Sequence, residues 1–132
     1  MFGNIVTMRW WEDLWLNESF AEFACNWAAS EATRYPDAWA RHLAGQKLEA
    51  YLADQGPVSH PIRQPIRDVA QAMSIFDAIT YPKGASVLRQ LQVFVGEQAF
   101  RTGMAPTSPV SPGRTPRCRI WSTNWPQPAA RT

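Results

Sequence analysis

The stretch that decides the fold is Leu14–Ala32, which reads LWLNESFAEFACNWAASEA. Its apolar side chains recur at intervals of three and four residues, the spacing that places them on one face of an α-helix. They are Leu14, Phe20, Phe23, Ala24, Trp27 and Ala28. Asp13 directly precedes this stretch and is a candidate N-cap, although its carboxylate could equally face solvent. We therefore predict an amphipathic helix over these residues.

A second helix is predicted from about Ala38 to Asp54. Asp37 can cap its start, and Gln55-Gly56-Pro57 carries the Gly and Pro that commonly end a helix. Its apolar line consists of Trp39, Leu43, Leu48, Tyr51 and Leu52. Residues 58–68, which follow Pro57, contain two more prolines, so we predict an extended loop there.

Two more helices are predicted between Pro82 and about Arg101. One follows Pro82 and ends near Gly96, and a short one runs from Glu97 to about Arg101. The first of these has an apolar face made of Ala85, Val87, Leu88, Leu91, Phe94 and Val95. The predicted fold class is therefore all-α.

Composition limits the classes of partner and location. Apolar residues make up 45% and charged residues 18% of the chain, as in globular proteins. A net charge of +2 gives no reason to expect nucleic acid or a membrane as partner. No apolar run approaches the roughly 20 residues of a membrane span, and no signal-peptide pattern is present. Cys25 and Cys118 fit free thiols in a reducing compartment, so we predict a cytoplasmic location.

Two motifs carry the chemistry. Residues 2–22 read FGNIVTMRWWEDLWLNESFAE, and residues 80–88 read TYPKGASVL. Both closely resemble the aminopeptidase N family of zinc metallopeptidases (gluzincins), and most of all its bacterial cytoplasmic members. Ser59-His60-Pro61-Ile62 and Phe76-Asp77 also stand where the family has similar residues. The resemblance covers roughly residues 2–101, and it implies that residues 1–102 are a helical part of a thermolysin-like catalytic domain.

The resemblance assigns roles to two residues. In the family, two His of an H-E-x-x-H helix bind zinc, the Glu between them is the general base, and a downstream Glu is the third ligand. That third ligand corresponds to Glu18. The family's Tyr-x-Lys-Gly tyrosine donates a hydrogen bond to the oxyanion of the tetrahedral intermediate, and it corresponds to Tyr81. The implied cofactor is zinc, and the implied reaction is hydrolysis of the N-terminal residue from a peptide substrate.

The residue types suit these roles. Zinc hydrolases use three protein ligands and keep one position open for water, and a helix-borne carboxylate such as Glu18 can be one ligand. On spacing alone, a single Glu of this kind is more often a solvated surface residue. Glu22 lies one turn later on the same face, either as a partner beside the metal ligands or as a surface carboxylate. The Tyr81 phenol can donate to an oxyanion without carrying charge, although a half-buried structural tyrosine fits the same pattern.

The remaining candidate groups are interpreted as structural. We expect Lys83 to be a surface charge or a helix contact. His42 and His60 have no ligand spacing to Glu18. Three tryptophans, Trp10, Trp11 and Trp15, are interpreted as core packing.

Two features depart from the family pattern. The 132 residues contain neither H-E-x-x-H nor the Gly-x-Met-x-Asn motif, whose region in the family binds the substrate's amino terminus. We expect the chain to begin just past the family's catalytic helix, with one zinc ligand of three. A lone carboxylate cannot hold zinc against water, so we expect this chain to be inactive by itself. We also expect exposed apolar patches where partner helices would pack.

The C-terminal segment has a different character. More than half of the eleven prolines lie from Pro106 onward, and residues 103–132 are predicted to be disordered. Back-translated with suitable synonymous codons, residues 115–132 read AALPDLVDELAAASGPD in a shifted frame. That string has amphipathic helical spacing, so we interpret the segment as the product of a one-base slip near Gly103. The parent gene sequence would test this.

Three alternatives stay open at this point. The chain could be a non-enzymatic helical binding module that uses its Trp-rich face. It could complement a separately encoded upstream piece that carries the two His. It could also be the translated remnant of a pseudogene.

Overall fold

The computed structural model describes Met8 and residues 10–104. Over these residues every regular element is helical, and no strand is present among them. The all-α prediction is therefore confirmed for this part of the chain. The predicted disorder and reading-frame slip fall mainly on residues 105–132, which lie outside the described residues, while Gly103 and Met104 belong to the last helix.

Six α-helices follow one another in the described chain. They are α1 (Leu14–Ala32), α2 (Ala38–His42), α3 (Leu48–Gln55), α4 (Val69–Ser74), α5 (Gly84–Val95) and α6 (Glu97–Met104). A 3₁₀ turn, Trp11–Asp13, precedes α1. Two π-helical turns join helices: Leu43–Lys47 connects α2 to α3, and Ile79–Lys83 leads directly into α5.

The predicted helices agree closely with the observed ones. The bounds of α1 are as predicted, and α2, the first π turn and α3 together fill the predicted second helix. α6 extends the predicted short helix to Met104. The sequence pattern missed α4, which has only six residues.

The second π turn accommodates a proline inside the helix. Tyr81 N donates to Asp77 O at 3.0 Å, and Lys83 N donates to Ala78 O at 3.1 Å. An ordinary α-helix would pair Ala78 O with the amide of Pro82, which has no N–H. The wider turn gives that carbonyl the next amide instead, so Tyr81 lies inside the helical run rather than before it.

Asp13 and Asp37 occupy the helix N-cap positions predicted for them, but neither side chain bonds a helix amide. The Asp13 carboxylate accepts from Arg63 Nε at 2.9 Å, and the Asp37 carboxylate from Arg41 Nε at 2.8 Å. In each case the charged guanidinium replaces the backbone amide as donor, because charge-assisted hydrogen bonds are the stronger ones.

The main core lies where α1 packs against α5 and α6. Its buried side chains are Phe20, Phe23, Ala85, Leu88 and Phe100. The Phe23 and Phe100 rings are 5.3 Å apart and tilted by 54°. A second core joins the start of α1 to the loop before α4 and to α4 itself, and it comprises Leu14, Ile66, Ala72 and Ile75.

Part of the predicted apolar surface faces outward. The apolar line expected along residues 38–54 is largely exposed, with Leu43, Leu48, Tyr51 and Leu52 at 49–74% of their full accessibility. Ala38, His42 and Ala50 are buried instead. The π turn carries more residues per turn than an α-helix, so it shifts the buried face away from the one that a 3.6-residue period predicts. Val87 and Phe94 of α5 are also exposed.

None of the described helices has the length and apolar character required to cross a membrane.

Candidate active site

The site forms where α1 meets the π turn Ile79–Lys83. Ser19 Oγ donates a hydrogen bond to Thr80 O at 2.6 Å, and both residues are fully buried. Glu18 and Tyr81 are the immediate neighbours of these two residues in sequence. The Ser19–Thr80 hydrogen bond therefore fixes the register between the helix that carries Glu18 and the turn that carries Tyr81.

Glu18 acts on the pKa of Tyr81. Burial raises the pKa of the Tyr81 phenol above its ordinary value of 10.0, and a hydrogen bond to Glu18 raises it further. The negative charges of Glu18 and Glu22 add to this effect on the pKa. All these causes favour the neutral phenol. Tyr81 is therefore a hydrogen-bond donor at neutral pH, next to a carboxylate.

The Glu18 carboxylate is also held by its neighbour. Asn17 Nδ2 donates to Glu18 Oε1 at 2.9 Å, and the Glu18 residue is partly buried. Asn17 Oδ1 is buried and has no hydrogen-bond partner within the described part of the chain. Glu18 is thus not a freely solvated surface side chain, since a side-chain amide and a phenol both approach it.

Glu22 is nearly buried, so the alternative of a surface carboxylate is wrong. Its side chain is 11% exposed, and its Oε1 lies 3.3 Å from His42 Nδ1. The His42 side chain is itself only 3% exposed. The two atoms lie at the distance of an ion pair, but Glu22 Oε1 accepts no hydrogen bond among the described residues. Glu22 therefore contacts the helix that follows α1.

His42 connects three helices. Its Nδ1 lies 3.1 Å from Gln46 Oε1, and its Nε2 lies 3.2 Å from Ser86 Oγ of α5. The Ser86 hydroxyl in turn donates to Pro82 O at 2.7 Å. These contacts agree with the structural role expected of His42.

Two further predictions concern Lys83 and the tryptophans. Lys83 forms an ion pair with Asp54 of α3, which makes it a helix contact. Trp11 packs on the second core, as predicted. Trp10 is 47% exposed, and its indole nitrogen donates to Ile66 O at 2.8 Å. Trp10 therefore holds the loop before α4 rather than filling a core.

His60 and Asp77 come together beside the tyrosine, although 17 residues separate them. His60 Nε2 donates to Asp77 Oδ2 at 2.8 Å, and Asp77 Oδ1 accepts from the amides of Ile79 and Thr80. Sequence reasoning gave neither residue a role in the site. An Asp shortly before a helix start is a capping signal that could have identified Asp77.

The residues present do not form a zinc site by themselves. Among the described residues, no group of three or more His, Cys, Asp or Glu side chains is arranged to hold a metal ion. Glu18 offers one carboxylate, whereas a catalytic zinc takes three protein ligands. The remaining ligands would have to come from outside these residues.

Comparison with known families identifies the helices as part of a peptidase domain. Residues 1–106 match the model of the Peptidase family M1 domain. The chain therefore belongs to peptidase family M1, in agreement with the aminopeptidase N resemblance.

Curated relatives support this membership. The chain is 50% identical over 106 residues to Aminopeptidase N of Streptomyces lividans, which covers 78% of this chain and 12% of the relative. It is 43% identical over 103 residues to Leucyl aminopeptidase of Saccharolobus solfataricus, covering 78% and 13%. It is 39% identical over 104 residues to Aminopeptidase 2, mitochondrial, of Saccharomyces cerevisiae, covering 79% and 11%. The chain thus spans about an eighth of the length of these relatives.

Proposed function

We propose that residues 1–106, which match the family, are the segment of a zinc-dependent aminopeptidase that supplies one metal ligand and the oxyanion donor. In this proposal the enzyme removes N-terminal residues from peptides. The observation that carries it is the hydrogen bond from Ser19 to Thr80, which places Glu18 and Tyr81 beside each other, so that Glu18 raises the pKa of the phenol. Family membership and the aminopeptidase names of the relatives support the reaction class.

Tyr81 has the role of stabilising developing negative charge. When a peptide carbonyl is attacked, its oxygen becomes an oxyanion, and a preorganised donor lowers the energy of that state. The phenol suits this role because burial and nearby carboxylates keep its proton in place. It donates a hydrogen bond without releasing the proton.

Glu18 has the role of a metal ligand, with Glu22 behind it. Zinc, when bound by a complete set of ligands, acidifies a water and polarises the substrate carbonyl. Glu18 supplies one oxygen donor, oriented by Asn17 Nδ2. Glu22 is held at His42 and adds negative charge near Tyr81 without being assigned as a ligand.

We propose that the 132 residues alone are catalytically inactive. They contain His42 and His60 but no H-E-x-x-H sequence, so the family's general base and two of its ligands are absent from them. His42 is engaged with Ser86 and Gln46, and His60 with Asp77. Activity therefore requires polypeptide that carries the missing groups, either in the same chain or as a separate upstream piece. The cytoplasmic location and the peptide substrate stay predictions.

A chimeric enzyme tests the proposal. Residues 1–104 of this chain would replace the matching segment in Aminopeptidase N of Streptomyces lividans. Release of p-nitroaniline from aminoacyl-p-nitroanilides and zinc content would then be measured. We expect Glu18→Gln to lose bound zinc, and Tyr81→Phe to keep zinc but lose about 10²–10³-fold in kcat.

Matched controls stand on the exposed surface. Glu49→Gln in α3 and Tyr35→Phe after α1 make the same chemical changes away from the site. Neither should alter zinc content or kcat. A Glu18→Gln chimera that kept full zinc occupancy and activity would refute the metal-ligand role.

A further inference from the structure

We propose that Asp77 is a positioning residue for Tyr81, locked in place by His60. The inference rests on the proposed function, in which Tyr81 is the oxyanion donor. It assigns to Asp77 no contact with substrate or metal. Its effect acts through the backbone of the π turn Ile79–Lys83.

Asp77 uses both carboxylate oxygens and its own carbonyl. Oδ1 accepts from Ile79 N at 2.9 Å and from Thr80 N at 3.1 Å. The Asp77 carbonyl accepts from Tyr81 N at 3.0 Å. Three consecutive amides at the start of the turn, ending with that of Tyr81, therefore bond to this one residue. The free N–H groups of a helix start are the ones that need such acceptors.

His60 fixes the second oxygen and so the orientation of the carboxylate. Its Nε2 donates to Asp77 Oδ2 at 2.8 Å, and its side chain is 16% exposed. Gln64 Nε2 donates to its Nδ1 at 3.2 Å, so the ring is held at both nitrogens. The proline-containing loop is thereby tied to the turn that carries the tyrosine.

The ring of Tyr81 is constrained from the same place. Phe76, the residue before Asp77, packs on Tyr81 with ring centroids 6.2 Å apart and a tilt of 44°. On the other side, Ser19 holds Thr80 O. Loss of the Asp77 carboxylate would release the amides of Ile79 and Thr80, the two residues that lead into Tyr81. The phenol would then no longer be held in a single position against Glu18.

The first test is NMR of the full chain with ¹³C-labelled tyrosine. The chain contains three tyrosines, Tyr35, Tyr51 and Tyr81, and each ring signal is assigned by its Tyr→Phe variant. We expect Asp77→Ala to move or broaden the Tyr81 signal and to leave the other two in place. Asp77→Asn keeps one oxygen to accept from the amides, so its Tyr81 signal should lie closer to that of the wild type.

Asp68 provides a matched control. Its Oδ1 accepts from Gln71 N at 2.8 Å at the start of α4. Asp68 thus accepts from a backbone amide at a helix start, as Asp77 does, but α4 contains no tyrosine. Asp68→Ala should leave the Tyr81 signal unchanged. If Asp77→Ala leaves the Tyr81 signal unmoved, or if Asp68→Ala moves it equally, the positioning role is wrong. Should Asp77→Ala unfold the chain, the same comparison is made with His60→Ala, which removes the donor to Asp77 Oδ2, leaves the bonds from Asp77 Oδ1 to the turn, and should still move the Tyr81 signal.

Kinetics of the chimeric enzyme separate positioning from stability. We expect Asp77→Ala to lower kcat by up to about 10²-fold, with little change in KM, because a small misplacement of a reacting group costs that much. Asp68→Ala should change neither constant. An Asp77→Ala enzyme with wild-type kcat would overturn the inference. A wild-type chimera without activity would instead refute the proposed function, while the NMR comparison would still decide the positioning of Tyr81.

Discussion

Gly84 at the start of α5 leaves no room for a side chain against Ser19 of α1. A Cβ placed on Gly84 would lie 1.8 Å from Ser19 Oγ and 2.6 Å from Ser19 Cβ. Rotation of the hydroxyl could relieve the first overlap but not the second. Glycine is needed here for the close approach of two helices and not for its backbone freedom, because Gly84 has a helical φ of −63°. This approach is what brings Thr80 within hydrogen-bond distance of Ser19.

Gly84→Ala should therefore destabilise the chain. Insertion of a methyl group into a packed contact commonly costs about 1–3 kcal/mol, and here it would push α1 and α5 apart. The free energy of unfolding, measured by urea titration with circular dichroism, checks this. Gly45→Ala is the control, because a Cβ at Gly45 meets nothing within 4 Å. That change should be neutral or stabilising by up to about 1 kcal/mol, since alanine favours helices. Equal effects of the two substitutions would contradict the close-approach argument.

Ser19→Ala should be destabilising through a different cause. It leaves the buried Thr80 carbonyl without the side-chain donor that now lies 2.6 Å away. An unsatisfied buried polar group costs about 1–3 kcal/mol. Ser30→Ala removes a local bond to Trp27 O, 2.9 Å long, inside the same helix. Its effect should stay within about 0.5 kcal/mol, since it breaks no contact between elements. Comparable losses of unfolding free energy in the two variants would show that the Ser19 bond does not hold α1 to the turn.

Much of the helical fold could be predicted from apolar spacing and from Gly and Pro positions. Spacing located α1 and α5 because each has enough turns to show a period. It could not locate α4, which is shorter than two full turns, or the π turns, which break the 3.6-residue period. The side-chain partner of Asp13 could not be predicted locally, because Arg63 reaches it from 50 positions away. Arg41 lies only four residues after Asp37, but the local sequence does not decide whether that carboxylate accepts from the guanidinium or from a helix amide.

Residues of the candidate site could be predicted only where they lie in a motif that resembles a known family. Glu18 and Tyr81 lie in stretches that resemble a known family, and the fold brings them together. The contact between Glu22 and His42 could not be predicted from the sequence, because the two residues are 20 positions apart with a helix break between them. Tertiary packing alone places His42 beside that carboxylate.

The phenol of Tyr81 should titrate above the ordinary pKa of a tyrosine. Its folded-state pKa lies above the ordinary 10.0, first through burial and then through the hydrogen bond and charge of Glu18. The folded chain thus holds this proton more tightly than the unfolded chain. The resulting stability is fully present below about pH 10 and is lost as pH rises above it. Ultraviolet difference titration of wild type and Tyr81→Phe checks this: the two curves should nearly coincide near pH 10. A signal smaller by one third at that pH in Tyr81→Phe would show an unshifted phenol.

Removal of His42 should destabilise the fold, because it leaves the nearly buried Glu22 carboxylate without its partner. His42→Ala leaves the carboxylate, 11% exposed, without the imidazole nitrogen that lies 3.3 Å from its Oε1, and it also leaves Ser86 Oγ without the imidazole. Loss of one partner of a buried pair costs about 3–5 kcal/mol when burial is complete, so we expect about 2–3 kcal/mol for this slightly exposed pair. Urea unfolding measures the loss. Gln46→Ala removes a neutral contact of the same ring nitrogen and should cost about 1 kcal/mol.

The double variant decides whether charge is the cause. Glu22→Gln keeps the shape of the side chain and removes its charge, so it should restore part of the stability lost in His42→Ala. In the wild-type background the same change should be neutral or destabilising, since there the carboxylate has the histidine beside it. This opposite sign is the expected coupling between two contacting residues. If Glu22→Gln gave no gain in the His42→Ala background, the loss would come from the cavity and the broken Ser86 contact. The pair would then stabilise the fold through packing. The charge of Glu22 beside His42 would contribute nothing to the free energy of unfolding.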